Sequence, residues 1–292
     1  MIYTLENDIL RLTFREQGGE MRSITEKADG TEYLWDGNPE WWKYSSPVLF
    51  PIIAKLWEGK YRVDGKEYEL PSHGFGRTSD YTLVKQEKDS IRFALGWSEE
   101  TLACYPYQFR LEIGYELHGN RVDVLWQVRN EGEDTMFFSI GAHPALRCPI
   151  VPGETIEDCF LEFNRPEKAE KFAVTPDAFL KPEHVPGIEG KELPLSWDFF
   201  AQGTWIFDSL KSDTIAIRSR KSKKSISIHF PGFPFLALWS PEKGGAPFIC
   251  IEPWFGHADT EGYTGDFRQR HGTQELAPGK EFNAGYSFTV GS

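Results

Sequence analysis

Two short strings set a titratable group inside apolar sequence: Ser139-Ile140-Gly141-Ala142-His143-Pro144 and Cys250-Ile251-Glu252-Pro253-Trp254. A histidine and a carboxylate are the usual pair for proton transfer near neutral pH. Burial shifts their pKa values toward such a task. A third string, His73-Gly74-Phe75-Gly76-Arg77, puts another imidazole beside a guanidinium, with glycines that let backbone approach a ligand. Brought together, the three strings would handle protons on a polar, uncharged or anionic small molecule.

Each string alone also has a plainer reading. A core histidine bonded to a backbone carbonyl would account for His143. An ion pair with Arg147 or Lys55 would account for Glu252, and a turn with an incidental histidine for His73. Local sequence adds detail: Pro144 biases His143 to an extended backbone, and the small pair Gly141-Ala142 leaves room for another group. In an extended segment Glu252 and Trp254 point to the same side. That would set an indole face, suited to the apolar side of a sugar ring, beside the carboxylate. Elsewhere, His118 and His229 fall on polar faces or at turns, His184 lies in irregular sequence, and a surface position is expected for His257.

The elements that must hold these groups are strands. Phe109, Leu111, Ile113, Tyr115 and Leu117 alternate with polar residues, as do Val122, Val124, Trp126 and Val128 after the turn His118-Gly119-Asn120. This predicts a hairpin of two half-buried antiparallel strands. Similar runs span 9–14, 81–85, 91–97, 214–219, 225–230 and 284–290, with a hairpin-like stretch over 61–70. Helical periodicity is confined to short pieces near 39–43, 99–104 and 197–201. Twenty-seven glycines and nineteen prolines punctuate the rest. The reading is mainly β, two large sheets face to face, and one domain over 1–292. The Pro-rich stretch 165–195 is expected to be an irregular surface excursion.

Composition narrows the partners. A formal net charge of -12 argues against nucleic acid and anionic membrane. The basic run 218–224 reads as a solvated hairpin turn. Four scattered cysteines fit reduced thiols. No signal peptide and no apolar run of about 20 residues is visible, so a cytoplasmic location is expected. No His-x-His, His-Glu-x-x-His or Cys/His spacing suggests a tight metal site. Neither a phosphate loop nor a nucleophile elbow is present.

In this order and spacing the strings resemble the aldose 1-epimerase family, the galactose mutarotase-like proteins. The nearest branch is the bacterial subgroup with a short His-Gly-Phe-x-Arg motif. The resemblance runs from Ser46-Pro47-Val48-Leu49-Phe50-Pro51 through His73–Arg77, Tyr105-Pro106-Tyr107, Gly141–Pro144 and Ile251–Trp254 to Leu276-Ala277-Pro278-Gly279. It implies a β-supersandwich of large antiparallel sheets with few short helices, and a sugar site on one sheet without metal or organic cofactor. It also implies catalytic roles: Glu252 as the base that takes the C1 hydroxyl proton, His143 as the acid that protonates the ring oxygen. His73 would hold the sugar near that oxygen, and Arg77, Lys55 and Trp254 would complete the substrate site. A protonated His143 facing an ionised Glu252 is the expected resting state. Two departures touch hydroxyl recognition. Ala54-Lys55 stands where relatives commonly have Gly-Arg. An aspartate common near the strand start at Gly203-Thr204 is absent, with Asp208 close by but not equivalent. Three functions compete on these residues: a mutarotase of a free aldohexose, one of a hexose 6-phosphate held by Lys55, Arg77 and Arg147, and a non-catalytic sugar-binding or sensing protein.

Overall fold

A computed structural model of the protein describes residues 1–201 and 203–291. Two large antiparallel sheets dominate it. The first has nine strands, in the order Leu180–Pro194, Cys159–Val174, Thr214–Ser219, Ser225–His229, Glu281–Gly291, Arg121–Asn130, Phe109–His118, Ser90–Gly96 and Thr82–Gln86. The second has six, running Trp205–Phe207, Phe235–Trp239, Phe248–Phe255, Ile140–Ala142 and Val48–Leu49, with Ala145–Arg147 also paired to Phe248–Phe255. A meander of Ile2–Glu6, Leu10–Arg15 and Glu20–Glu26 adds a three-stranded sheet.

The expected hairpin is present, with Val124 facing Tyr115 and Trp126 facing Ile113. Its alternation follows from one buried and one wetter face. The smaller sheet reads differently because both of its faces are covered. Along Phe248–Phe255, Ile249 and Ile251 enter the main core against the nine-stranded sheet. Phe248, Cys250 and Trp254 point the other way, into two separate clusters. The neighbouring strand repeats this: Leu236 and Leu238 face the core, while Phe235, Ala237 and Trp239 turn away. A strand dressed on both sides is a continuous apolar run, and Glu252 falls on the side away from the core.

Two sequence expectations are corrected. The stretch 165–195 is no irregular excursion but most of a long two-stranded ribbon, Cys159–Val174 against Leu180–Pro194, with register shifts that absorb its prolines and glycines. A bulged ribbon breaks period-two alternation, which is why the sequence hid it. The 39–43 segment forms turns rather than a helix. The other two short pieces do form: an α-helix at Glu99–Cys104, closed by a Ser98–Thr101 capping box, and a single 3₁₀ turn at Trp197–Phe199. Among the described residues no helix is long and apolar enough to cross a membrane.

Candidate active site

The outward face of the six-stranded sheet carries a cavity of about 280 Å³. Its wall includes all six residues singled out in the sequence: His143, Glu252, His73, Arg77, Lys55 and Trp254. Each arrives by a local cause. Glu252 and Trp254 are two apart on one strand and share its outer face. The indole lies over Gly141, where a Cβ would stand 2.5 Å from its ring carbon, and its Nε1–H donates to the Ala142 carbonyl at 3.0 Å. The small residues before His143 therefore seat the tryptophan. His143 directly follows the strand Ile140–Ala142, its N–H donating to the Pro47 carbonyl at 3.1 Å.

At the centre, His143 Nε2 lies 3.2 Å from Glu252 Oε2, with both side chains almost fully buried. The contact lacks hydrogen-bond alignment. Glu252 Oε2 and His143 Nδ1 make no hydrogen bond within the protein. Buried polar atoms left without a partner are costly unless a ligand uses them. Neither plainer reading holds: the His143 ring bonds no carbonyl, and Arg147 and Lys55 are engaged elsewhere. Arg147 lies 3.5 Å from Asp36 and bonds the Leu34 carbonyl, away from the cavity. That removes it as a phosphate holder.

Burial works against charge on both members of the pair. It pushes the Glu252 carboxyl well above the ordinary carboxylate range, against the opposing pull of Arg77. It pushes His143 well below the ordinary imidazole range, helped by the proximity of a second imidazole, His73, and by the Arg77 charge. Both shifts oppose charge on the pair, against the expected protonated His143 facing an ionised Glu252. A carboxylic acid beside a neutral imidazole has the same proton count as an imidazolium–carboxylate pair, so moving one proton across the contact interconverts them.

His73 is fixed differently. Its Nδ1 accepts the Ala54 N–H at 3.1 Å, and its own N–H returns a bond to the Ala54 carbonyl at 2.8 Å. An accepting Nδ1 carries no proton, so the ring is neutral with its hydrogen on Nε2. Burial, then the Arg77 charge, lower its pKa to about 3. Both partners stand at positive φ, 54° at Ala54 and 66° at His73, strain of the kind that collects at functional sites. Arg77 lies over the Tyr44 ring at 4.8 Å and donates to the Ser72 carbonyl at 3.1 Å. Lys55 reaches the rim, its ammonium donating to the Asp177 carbonyl at 2.9 Å.

Some lining residues went unread in the sequence. Trp42 stacks on the His143 ring, 4.5 Å between centroids, and Trp239 meets it edge-on at 5.5 Å. Trp42 sits in irregular chain just before the Ser46–Pro51 string and outside every motif, so only its aromatic character could have flagged it. Thr204 occupies the wall near the missing aspartate, while Asp208 pairs with His184 Nε2 at 3.2 Å instead. His257 is not on the surface but 3% exposed, between the Ala258 carbonyl and His271. Spacing offers no metal motif, yet the fold gathers His143, Cys250 and Glu252 with one ligand atom each within 4.8 Å of one another. A metal there would take the lone pairs that proton transfer needs.

A two-sheet β fold with a histidine–carboxylate pair in a cavity on the smaller sheet defines a class, the galactose mutarotase-like proteins. The chain belongs to the aldose 1-epimerase family, whose model matches residues 1–288, and so to the isomerases. It is 38% identical over 266 residues to protein LacX of Lactococcus lactis, covering 88% of each chain. Its structure resembles that of a galactose mutarotase related enzyme from Lactobacillus acidophilus. The TM-score is 0.96 at 32% identity, over 100% of this chain and 98% of that one. A galactose mutarotase-like protein from Lactobacillus casei gives a TM-score of 0.93 at 29% identity, over 99% and 100%.

Proposed function

We propose that the protein interconverts the α and β anomers of a free aldohexose, with Glu252 as base and His143 as acid. The observation that carries this is the buried His143–Glu252 contact in the wall of a small cavity, with Glu252 Oε2 and His143 Nδ1 both left without a protein partner. Ring opening removes the C1 hydroxyl proton and delivers one to the ring oxygen. The C1–C2 bond then rotates in the open aldehyde, and the ring recloses on the other carbonyl face with the roles reversed. A sugar that donates hydroxyl hydrogens to Glu252 favours its carboxylate, and the displaced proton passes to His143. The pair then stands as base and acid, and each turnover leaves them ready for the reverse step.

The remaining wall residues support the same reading. His73 offers a neutral Nε2–H as a hydrogen-bond donor to the sugar, near the ring oxygen, and is not the proton source. Trp254 gives an apolar floor. Arg77 adds a fixed positive charge that supports an ionised Glu252. A phosphorylated hexose is the lesser reading, because Lys55 is bonded to Asp177 and Arg147 is turned to Asp36.

Anomer-exchange NMR on free and phosphorylated hexoses tests this. Accelerated exchange of a free hexose is expected, falling about 10²–10⁴-fold in His143→Asn and in Glu252→Gln. Exchange that survives both substitutions overturns the assigned roles. Saturable binding without exchange would make the protein a sugar binder.

A further inference from the structure

The strand that carries Glu252 also carries Cys250, two residues earlier and on the same outward face. On the facing chain Gly141 pairs with Trp254 and Ala145 with Cys250. His143, midway between Gly141 and Ala145, therefore stands across from Glu252, with Cys250 next to both. Ala145, opposite Cys250, sets only a methyl group beside the thiol.

Imidazole, thiolate and carboxylate are the side chains that hold zinc. Here the three residues are buried, with one ligand atom each within 4.8 Å of one another. Tetrahedral zinc with nitrogen and oxygen ligands at about 2.0–2.1 Å holds those two atoms about 3.3 Å apart. His143 Nε2 and Glu252 Oε2 already stand at 3.2 Å. A sulfur at about 2.3 Å from the ion would lie about 3.6 Å from each, so a small turn of the Cys250 side chain completes the set. Glu252 Oε2 has no hydrogen-bond partner in the protein, and an ion there breaks no bond to it. The cavity beside His143 and Glu252 leaves the fourth position to water or a sugar hydroxyl.

The surroundings of the histidine suit a visiting ion rather than a resident one. A metal-bound histidine almost always gives its other ring nitrogen a partner. His143 Nδ1 has none in the protein, and the ring is held by stacking on Trp42 and by the edge contact with Trp239. We propose that zinc, or a divalent cation of similar softness, binds reversibly to His143, Cys250 and Glu252. On the mutarotase reading above, the ion inhibits exchange, because it occupies the nitrogen and oxygen between which the proton would move. Cys250 gives its thiol proton to solvent as the ion binds and has no part in exchange without metal. Magnesium and calcium, which take oxygen ligands, do not bind there.

The test is titration of the full chain, without added tag, with zinc and with cobalt(II). It is read by hexose anomer exchange and by near-ultraviolet absorption. Free zinc at ten times its Kd should slow exchange about tenfold; a chelator should restore the rate, and magnesium should leave it unchanged. Cobalt should give a thiolate-to-metal charge-transfer band, a sign of sulfur coordination that needs no activity. Cys250→Ala should keep the metal-free exchange rate and lose the band. It should need about 100-fold more zinc for equal inhibition, the upper end for loss of even an outer-shell partner. Cys250→Ser, nearly isosteric, takes its place where the alanine variant does not fold, and the metal-free rate reports folding of each. Exchange untouched by zinc, equal inhibition of parent and Cys250 variants, or a cobalt band that survives both substitutions overturns the zinc site and leaves the mutarotase reading intact. No exchange with any hexose overturns the mutarotase reading, and the cobalt band then decides the zinc site by itself.

Discussion

Glu252 and His143 are each held where folding would be easier without their charge, and the penalties fall at opposite ends of the pH scale. Glu252 has its folded pKa raised by burial above the ordinary 4.5. The folded state therefore binds more protons than the unfolded one above pH 4.5, and stability is lost as pH rises from there. His143 has its folded pKa lowered below 6.5. Its contribution is present above pH 6.5 and is lost as pH falls from that value toward the depressed folded pKa. Replacing either residue with its neutral isostere removes one penalty. Glu252→Gln is expected to raise Tm over the parent increasingly from pH 5 to pH 8, and His143→Asn increasingly from pH 6.5 down to pH 4.5. Thermal unfolding across pH checks this. A constant offset for both variants would mean that neither group is shifted. His73 supplies a contrasting case. Its tautomer is set by the Ala54 N–H, and its pKa of about 3 keeps it neutral across the working range. His73→Gln should lower kcat/KM about tenfold, the worth of one hydrogen bond of about 1–1.5 kcal/mol. The acid limb of the pH–rate profile should stay where it is. A displaced acid limb would make His73 a titrating participant.

Between residue and molecule, the strand Phe248–Phe255 decides most of the site. Its odd positions Ile249 and Ile251 bind the two sheets together, and its even positions Glu252 and Trp254 face the cavity. This much was legible: a carboxylate and an indole two apart in a buried strand must share a face. The long ribbon over 159–194 was not, because bulges and prolines erase the alternation that reveals a strand. His257 was misplaced for a related reason: its burial comes from Phe172 and Phe235 on other strands, a packing that local sequence does not carry. Two substitutions test how the elements hold the site. Gly141→Ala would push a methyl carbon to 2.5 Å from the Trp254 ring, overpacking that typically costs 1–3 kcal/mol. Lower Tm and a higher KM for hexose are expected together, since the displaced indole is the proposed sugar floor; a higher KM with Tm unmoved would argue that the ring relocates freely. Asp259→Asn would leave Arg270 buried without its counter-charge, a loss of about 3–5 kcal/mol. Chemical denaturation should register it, and a change under about 1 kcal/mol would mean that the pair is not closed in solution.

The whole molecule adds a field to the pocket. With a formal net charge of -12, the surface repels anions on approach, while Lys55 and Arg77 supply positive charge at the cavity. For a neutral sugar the two effects are irrelevant, and kcat/KM for hexose exchange should not change with ionic strength. For a hexose 6-phosphate the long-range repulsion acts over a Debye length of about 30 Å at 0.01 M salt and about 8 Å at 0.15 M. Screening relieves that repulsion before it weakens a contact inside the cavity, so phosphorylated sugar should be turned over faster as salt is added. Exchange rates measured at both salt concentrations separate the cases. A kcat/KM for the phosphate that falls with salt would mean that attraction to Lys55 and Arg77 outweighs the surface field. That result would transfer the catalytic pair to a phosphorylated substrate, since steering of that sign has no use for an uncharged one.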